Sequence, residues 1–183
     1  MPAENADYLT FNANEKGNVI PLPPIQDPED VYRRYSNMVF RLALARCRSR
    51  SDAEDVMQDV FLRYVRSAPK LDSAEHQRAW LVRATINCTN TLLSSAWHRH
   101  TELYDELSRI APSCPDENAA DVYSAVMSLS KKQRTAVHLY YYEGYSVKEI
   151  ASLMETNDST VKSLLYRARE KLEKELKGDY FDV

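Results

Sequence analysis

The chain has 183 residues, 44% of them apolar, and a formal net charge of −3. Only three residues are glycine and few runs alternate apolar with polar residues, so composition favours a mostly helical chain of one ordinary or two small domains. No stretch approaches the ~18 consecutive apolar residues of a membrane span, no export signal precedes the first helix, and three widely spaced cysteines argue against a disulfide framework. We therefore expect no membrane insertion and a cytoplasmic location.

Charge is distributed in blocks that the overall value hides. Residues 1–30 carry −5, residues 31–100 carry +6, residues 101–118 carry −4 and residues 119–177 carry +2. The changes of sign coincide with breaks in the helical pattern. They predict an all-α protein of two small, mildly basic helical domains joined by a flexible acidic linker at 99–118.

The N-terminal half begins with an arm and continues as a three-helix domain. Residues 1–26 lack periodicity and contain NVIPLPPIQ, which predicts a disordered or loosely docked arm. Asp27 is placed to cap a helix that has Pro28 at its first position, and this helix opens a domain over 27–98. Two capping-box patterns open the next two helices: Ser51 with Glu54, and Asp72 with Glu75.

The C-terminal half, residues 119–177, reads as four helices followed by a short tail, 178–183. Capping boxes at Ser130 with Gln133 and at Ser146 with Glu149 start two of the helices. Gly144 is placed to end the earlier of these two. The last helix, about 158–177, is predicted to be capped by Asn157.

The last two helices have the spacing of a helix-turn-helix. Their apolar stripes can meet only if the chain bends sharply at METND, and Ala151 is small enough to allow close approach. A second helix of this kind can enter the major groove of DNA. Its predicted DNA-contacting residues are Ser159, Thr160, Lys162, Ser163, Tyr166 and Arg167, with Arg169 at the side. The alternative is a helical hairpin in an ordinary bundle whose basic face is merely solvated.

The bend itself departs from the usual pattern, in which a glycine adopts the left-handed conformation. No glycine stands in METND. Asn157 takes positive φ at modest cost, and Glu155 takes it less readily. The sequence therefore predicts an altered turn.

Two long stretches resemble bacterial RNA polymerase sigma factors of the extracytoplasmic-function group. SDAEDVMQDVFLRYVRS followed by QRAWLVRATIN is similar to their N-terminal region. LSKKQRTAVHLYYYEGYSVKEIASLMETNDSTVKSLLYRAREKLEKEL is similar to their C-terminal DNA-binding region. The two motifs occur in the family's order and together span about 28–177.

The resemblance implies roles for individual residues. Asp55, Gln58 and Asp59 match the polar face that such factors present to the polymerase. The helix that reads the minus-ten element is matched at Arg83, Asn87 and Asn90. Trp80 matches it too, although in the family this tryptophan is mostly a core residue and its helical phase here agrees with that role. The loop 67–76 matches the segment that captures a base of the opened strand, because a pocket for an extruded base offsets the cost of unstacking.

Two departures from the family pattern affect DNA binding. After Asn87 the family usually carries an Asp and a cluster of Arg, whereas this chain has LLSSAWHRH. Fewer cations should weaken phosphate neutralisation there. Leu164 stands where the family often has Arg, and it could contact a thymine methyl or pack on a partner.

Two other features carry weaker functional readings. His98, His100, Cys88 and Cys114 lack the spacing of a zinc site, so we expect no metal and no cofactor. The run Tyr140–Tyr142 could stack bases. Three consecutive helical positions point in three directions, however, so at least one of the tyrosines should lie in the core.

The resemblance implies a non-enzymatic sigma factor whose partners are core RNA polymerase, promoter DNA and an anti-sigma protein. Two alternatives stay open at this stage. One is a stand-alone helix-turn-helix regulator that binds DNA without polymerase. The other is a sigma-like interaction protein that lacks promoter activity, which the thin basic cluster at 94–100 would favour.

Overall fold

A computed structural model describes residues 12–13, 19–20, 24–25, 27–96 and 117–180. These ranges are almost entirely helical, which confirms the all-α fold class. The α-helices are α1 Pro28–Cys47, α2 Arg50–Ser67, α3 Ala74–Ala96, α4 Glu117–Ser128, α5 Lys131–Val137, α6 Val147–Leu153 and α7 Asp158–Tyr180, with a π-helical turn at His138–Tyr142.

The described part of the N-terminal arm contains two short strands. Strand β1, Asn12–Ala13, pairs antiparallel with β2, Val19–Ile20. Most of the acidic linker predicted at 99–118 lies outside the described residues, and its last two positions already belong to α4. The predicted tail also begins inside a helix, because α7 continues to Tyr180.

Helices α1, α2 and α3 pack around one apolar core. Asp27 caps α1 as predicted, and its Oδ1 accepts a hydrogen bond from the backbone N–H of Glu29 at 2.7 Å. Pro28 occupies the first turn, where its missing N–H leaves no donor unpaired. The fully buried core residues of this unit are Val31, Val39, Ala43, Ala53, Val60 and Leu81.

Helix α2 begins two residues earlier than the sequence predicted. Its N-cap is Ser49, whose hydroxyl accepts from the backbone N–H of Asp52 at 3.2 Å, and the predicted cap Ser51 lies inside the helix. The residue that precedes Ser49 adopts a left-handed φ of 62°, so α1 and α2 are separated by two residues only. Glu54 therefore pairs with Arg50 at 2.9 Å instead of closing a capping box.

The cap of helix α3 also differs from the prediction, and it lies one residue later. The hydroxyl of Ser73 accepts from the backbone N–H of His76 at 3.2 Å. Asp72, the predicted cap, is exposed, and its carboxylate lies 3.8 Å from His76 Nδ1. Serine is as good a cap as aspartate, so Ser73 can take the position predicted for its neighbour.

The capping signals of the C-terminal half are confirmed. Ser130 and Ser146 each form the predicted box, with Gln133 and with Glu149 respectively. Asn157 caps α7 through its Oδ1, which accepts from the backbone N–H of Thr160 at 2.8 Å. Gly144 follows the π-helical turn with a φ of 71°, a conformation that glycine adopts without steric cost.

The tyrosine run contradicts the prediction that one of its side chains would be buried. Tyr140, Tyr141 and Tyr142 are exposed to 36%, 54% and 64%. The π-helical turn changes the angular spacing of the residues, and the inward positions go to His138 and Leu139 instead.

The two helical units pack directly against each other and share one apolar core. Leu42 of α1 and Val82 and Ile86 of α3 belong to the same buried cluster as residues of α5, α6 and α7. The members contributed by the C-terminal unit include Leu129, Leu139, Ile150, Val161, Leu165 and Ala168. The unit formed by α4–α7 thus lies against one side of α1 and α3.

Candidate nucleic-acid interface

The exposed face of α7 is the first part of the interface. Val161, Leu165 and Ala168 are buried, which places the opposite side of the helix in solvent. The predicted DNA-contacting residues on that side are exposed: Lys162, Ser163, Tyr166 and Arg167. Cations and hydroxyls on the exposed face of such a helix are the groups that contact phosphates and base edges.

The two predicted residues at the start of α7 are held by its cap. Ser159 donates its hydroxyl to Asn157 Oδ1 at 2.8 Å, and Thr160 is half-buried with its N–H bound to the same oxygen. The cap therefore fixes the orientation of the end of α7 that enters the groove in a helix-turn-helix. Leu164 packs against the apolar core rather than projecting fully into solvent.

The bend before α7 is made by a non-glycine residue in the left-handed conformation. Glu155 has a φ of 51°, so the residue predicted to adopt this conformation less readily does adopt it. Its backbone N–H donates to Ser152 O at 3.4 Å, and the N–H of Thr156 donates to Ala151 O at 2.9 Å. These bonds bring the chain sharply from α6 into α7.

Arg169 is fixed beside α7 by the tyrosine run. Its Nε donates to the hydroxyl of Tyr141 at 2.7 Å, and its guanidinium carbon lies 5.9 Å from the centroid of that ring. Tyr140 packs edge-on against Tyr141 with 5.0 Å between ring centroids. The exposed tyrosines thus position a cation at the flank of the recognition helix.

The second part of the interface is a cavity of about 520 Å³ beside α3. We call it the α3 cavity. It contains two of the predicted minus-ten residues, Arg83 and Asn87, and further cations come from Arg63 and Lys70. Its remaining walls are Leu71, His76, Ala79, Trp80 and Ala84. An aromatic wall with cations around it can accept a stacked base and the phosphates next to it.

Arg83 and Asn90 also contact the C-terminal unit. Arg83 Nη2 lies 3.4 Å from both the carbonyl and the hydroxyl oxygen of Ser152 in α6. Asn90 Oδ1 accepts from Arg46 at 2.8 Å and from Lys131 in α5 at 3.2 Å. Two of the three predicted minus-ten side chains therefore face another part of the chain.

The predicted polymerase-binding residues lie on the solvent side of α2. Asp55 and Gln58 are exposed. Asp59 is half-exposed and pairs with Arg63 at 2.8 Å. Burial alone would raise the pKa of Asp59, but hydrogen bonds from Arg63 and from the thiol of Cys88 outweigh it and lower that pKa. Asp59 thus stays ionised and tied to its own helix, whereas the other two residues are free to meet a partner.

Sequence reasoning missed a group of arginines between the two units, two of them buried and Arg48 half-buried, which we call the arginine seam: Arg46, Arg48 and Arg134. Arg46 and Arg134 are only 5% and 3% exposed. Burial lowers the pKa of each to about 10, so both remain charged at neutral pH. The sequence pattern gave no signal for this seam, because arginines in basic helices usually lie in solvent.

The paired donors of the arginine seam all bind neutral oxygens, whereas Arg48 Nε is buried without a hydrogen-bond partner among the described residues. Arg46 donates to Thr89 Oγ1 and, across the boundary, to Thr135 Oγ1, both at 2.6 Å. Arg134 donates to the carbonyl of Ala45 at 2.5 Å, and Arg48 reaches the carbonyls of Met127 and Leu129 near the end of α4. Cations are stabilised at helix C-termini, where unpaired carbonyls collect.

A second polar contact joins the units at the other side of the shared core. Arg78 of α3 donates to the Glu143 carboxylate at 2.6 Å and to the Glu143 carbonyl at 2.7 Å. Its guanidinium lies 4.7 Å from the centroid of the Tyr145 ring. His138 Nε2 approaches the same carboxylate at 3.4 Å. Arg78 thus links the units through a charge pair and an aromatic face.

The structure also bears on two features that the sequence analysis did not expect, a metal site and a membrane span. Within the described residues, no group of His, Cys, Asp and Glu is placed to hold a metal ion, and His98, His100 and Cys114 lie outside them. No helix of the described ranges has the length and apolarity needed to cross a membrane.

Comparison with known proteins identifies the family of this chain. The sequence-family model "Sigma-70 region 2" matches residues 31–99, and the sequence-family model "Sigma-70, region 4" matches residues 119–172. The ECF RNA polymerase sigma factor SigM of Mycobacterium tuberculosis is 31% identical over 145 residues, which cover 79% of this chain and 74% of SigM. The ECF RNA polymerase sigma-E factor of Haemophilus influenzae is 29% identical over 159 residues, covering 78% of this chain and 84% of the relative.

Solved structures share the fold. The sigma factor RpoE of Bartonella quintana, solved in complex with the anti-sigma factor NepR, superposes with a TM-score of 0.65 at 22% identity, covering 87% of this chain and 100% of that one. CnrH, solved with the cytosolic domain of CnrY, gives a TM-score of 0.57 at 22% identity over 83% of this chain and 88% of CnrH.

A region 2 and a region 4 in one helical chain define a sigma-70-type initiation factor. The chain belongs to the extracytoplasmic-function sigma factors of RNA polymerase. It is an alternative sigma factor that directs transcription initiation, and it is not an enzyme. These matches favour the sigma-factor interpretation over a stand-alone regulator and over a sigma-like protein without promoter activity.

Proposed function

We propose that the two units divide promoter recognition between them. Residues 27–98 bind core RNA polymerase and read and open the minus-ten element, and residues 119–177 bind the upstream, minus-thirty-five element. The acidic linker at 99–118 spans the distance between them. The observation that carries this division is the α3 cavity, which combines the aromatic wall of Trp80 with the polar side chains of Arg83 and Asn87.

Strand opening needs a binding site for an unstacked base, since unstacking costs a few kcal/mol. The α3 cavity supplies a stacking surface, and the loop between α2 and α3 contributes Lys70 and Leu71 to its rim. Asn87 is exposed and can hydrogen-bond a base edge. Asn90 serves this surface only when its contacts with Arg46 and Lys131 are released.

The upstream element is assigned to α7. Lys162, Ser163, Tyr166 and Arg167 contact bases and phosphates of the major groove, and Arg169 contacts the backbone at the side. Ser159 and Thr160 act at the capped start of the helix, where the positive end of the helix dipole favours a phosphate.

Polymerase binding is assigned to the exposed edge of α2. Asp55 and Gln58 offer a carboxylate and an amide in solvent, and Asp59 contributes from within its pair with Arg63. A carboxylate at a rim of this kind steers association with a basic surface of the polymerase.

Promoter binding requires the two units to separate. While α6 lies against α3, Arg83 and Asn90 donate to or accept from the C-terminal unit and cannot both serve DNA. We infer that polymerase and promoter together replace the contacts of the arginine seam and of Arg78.

Two assignments concern the protein's surroundings. We place its action in the cytoplasm, where RNA polymerase transcribes. An anti-sigma protein is the expected inhibitor, which the structural relatives RpoE and CnrH support because each was solved with a partner of that kind or a cytosolic partner domain.

Reconstitution with core polymerase tests the division. The holoenzyme is used to select a promoter from a randomised DNA library, and permanganate reactivity then measures opening on that promoter. Asn87→Ala should reduce opening about tenfold, since a lost base contact costs ~1–3 kcal/mol. The control is Asn37→Ala, the same substitution at an exposed position of α1 outside the cavity. Equal opening by both variants would exclude the cavity assignment, and tight DNA binding by the protein without polymerase would favour a stand-alone regulator.

A further inference from the structure

A buried glutamine in α3 holds the end of the N-terminal arm. Gln77 is 0% exposed. Its Oε1 accepts from the backbone N–H of Ile25 at 3.1 Å, and its Nε2 donates to the backbone carbonyl of Ile25 at 2.9 Å. One side-chain amide thus pairs with both backbone groups of a single arm residue, as a neighbouring strand would.

The same amide also reaches the interior of the domain. Gln77 Nε2 donates to the hydroxyl of Tyr64 at 2.7 Å. Both N–H donors of the amide are thereby used, one on the arm and one on α2. Leaving a buried amide group without these partners is unfavourable, so the three hydrogen bonds form or break together.

The hydrogen-bonded group is next to the α3 cavity. The Tyr64 ring meets Trp80 edge-on, with 5.5 Å between centroids, and Trp80 is a wall of that cavity. On the other side of Tyr64 a smaller cavity of about 370 Å³ is bounded by Pro24, Ile25 and the α2–α3 loop. Lys70 and Leu71 of that loop line both cavities.

We propose that Gln77 is a positioning residue for strand opening, which acts by tying the arm at Ile25 to the wall of the α3 cavity. The docked arm supports the α2–α3 loop from one side and, through Tyr64, holds Trp80 in place for an extruded base. Gln77 itself is buried and touches no DNA. This inference rests on the proposed role of the α3 cavity in capturing the opened strand.

The test alters the tie from the arm and from the domain, always in the full chain bound to core polymerase. Ile25→Pro removes the N–H that donates to Gln77 and shortens a side chain that packs against the α1–α3 core, a shortening that Ile25→Val matches. Ile25→Val keeps the backbone donor and is its control. Gln77→Leu has a similar volume and removes all three hydrogen bonds. A double variant, Ile25→Pro with Gln77→Leu, shows whether the two changes act through one contact.

The readouts separate opening from binding. Permanganate reactivity of the selected promoter should fall about tenfold in Ile25→Pro, for the loss of one to two net hydrogen bonds, and should not fall in Ile25→Val. Affinity for core polymerase and for a duplex carrying only the upstream element should be unchanged. The double variant should lose no more than the worse single variant.

Three outcomes would overturn the inference. They are wild-type opening by Ile25→Pro, a parallel loss of polymerase affinity, or additive losses in the double variant. If Gln77→Leu does not fold, Ile25→Pro decides alone. Failure of the proposed function looks different, because Asn87→Ala would then open the promoter as well as wild type does, whatever happens at Ile25.

Discussion

Replacing Glu143 by glutamine should loosen the contact between the two units and strengthen promoter binding. Arg78 donates to the Glu143 carboxylate at 2.6 Å, and the two side chains are 29% and 13% exposed. Glutamine keeps a hydrogen-bond acceptor at the same place but removes the charge. The hydrogen bond from Arg78 to the Glu143 backbone carbonyl, at 2.7 Å, is also retained.

The size of the effect follows from the charge that is lost. Glutamine still accepts from the charged Arg78 guanidinium, so the loss is the attraction between two opposite charges. Such a pair contributes up to ~1 kcal/mol when exposed and more when partly buried, and we expect Glu143→Gln to cost the closed arrangement about 1.4 kcal/mol. That is roughly a tenfold change in the ratio of open to closed protein. When the binding-competent form is the minor one, the apparent affinity for DNA rises by the same factor.

The assay compares two variants with the same change of charge. Glu149→Gln lies in the capping box of α6, is exposed and makes its hydrogen bonds with Ser146. Arg78 acts on the Glu149 carboxylate only through space, so this variant removes one negative charge near DNA without breaking a hydrogen bond between the units. Affinity of the free protein for a selected promoter fragment is measured at fixed salt, and the radius of gyration of the free protein is measured by small-angle scattering. Equal affinities for the two variants, with equal radii, would refute the reasoning.

Acid should act on the wild type in the same direction. Burial would raise the pKa of Glu143, but the nearby His138 imidazole and the hydrogen bond from Arg78 outweigh it and hold that pKa below its ordinary value of 4.5. A lowered pKa means that the carboxylate stabilises the closed arrangement above pH 4.5 and that this contribution disappears as pH falls through the folded-state value. Scattering should therefore show the wild type opening in acid, with a smaller change in Glu143→Gln.

Three other substitutions test separate parts of the structure. Arg167→Ala should weaken binding to an upstream-element duplex and reduce the slope of log affinity against log salt by about 1; an unchanged slope would mean that Arg167 does not contact phosphate. Asp55→Arg should lower affinity for core polymerase about tenfold by reversing a steering charge, with the melting temperature as the check that an exposed site leaves the fold intact; full polymerase affinity would exclude this edge of α2. Glu155→Gly should raise the free energy of unfolding by ~1 kcal/mol, because it relieves a left-handed non-glycine residue, and Glu155→Ala should not; a loss of stability in Glu155→Gly would contradict this.

Local signals in the sequence predicted most of the helical framework. Asp27, Ser130, Ser146 and Asn157 cap the helices that their spacing indicated, since each needs only its own side chain and the next few backbone groups. The exposed face of α7 was equally predictable, because Val161, Leu165 and Ala168 define its buried side.

Errors arose where two local choices were nearly equal in energy. Ser49 and Ser51 are both serines and either could cap α2, but α1 ends at Cys47 and leaves Ser49 in the capping position. Ser73 caps α3 in place of Asp72, and the two residue types are equally good caps. The tyrosine run was misjudged because a π-helical turn replaced α-helical spacing.

Contacts between the units could not be predicted from one sequence. The hydrogen bond from Arg46 to Thr135 joins residues far apart in the chain, and nothing in the helical periodicity of either segment points to the other. Gln77 is a similar case, since a glutamine on a helix is usually exposed and its partner is a backbone group of the arm. The contacts of Arg83 and Asn90 with the second unit were unpredictable for the same reason, since they join residues far apart in the chain.

The composition of the arginine seam affects how the free protein meets a chromosome. Arg46 and Arg134 donate to hydroxyls, an amide and carbonyls, and no carboxylate among the described residues accepts from them. While the units stay together, these two guanidinium groups cannot contact DNA phosphates. They therefore release no counterions, and the free protein's non-specific affinity for DNA is lower than it would be if both were exposed. In the proposed opening on polymerase, the same guanidinium groups reach water with the charge they already carry, so the subunit exposes more positive surface at the moment it is delivered to a promoter.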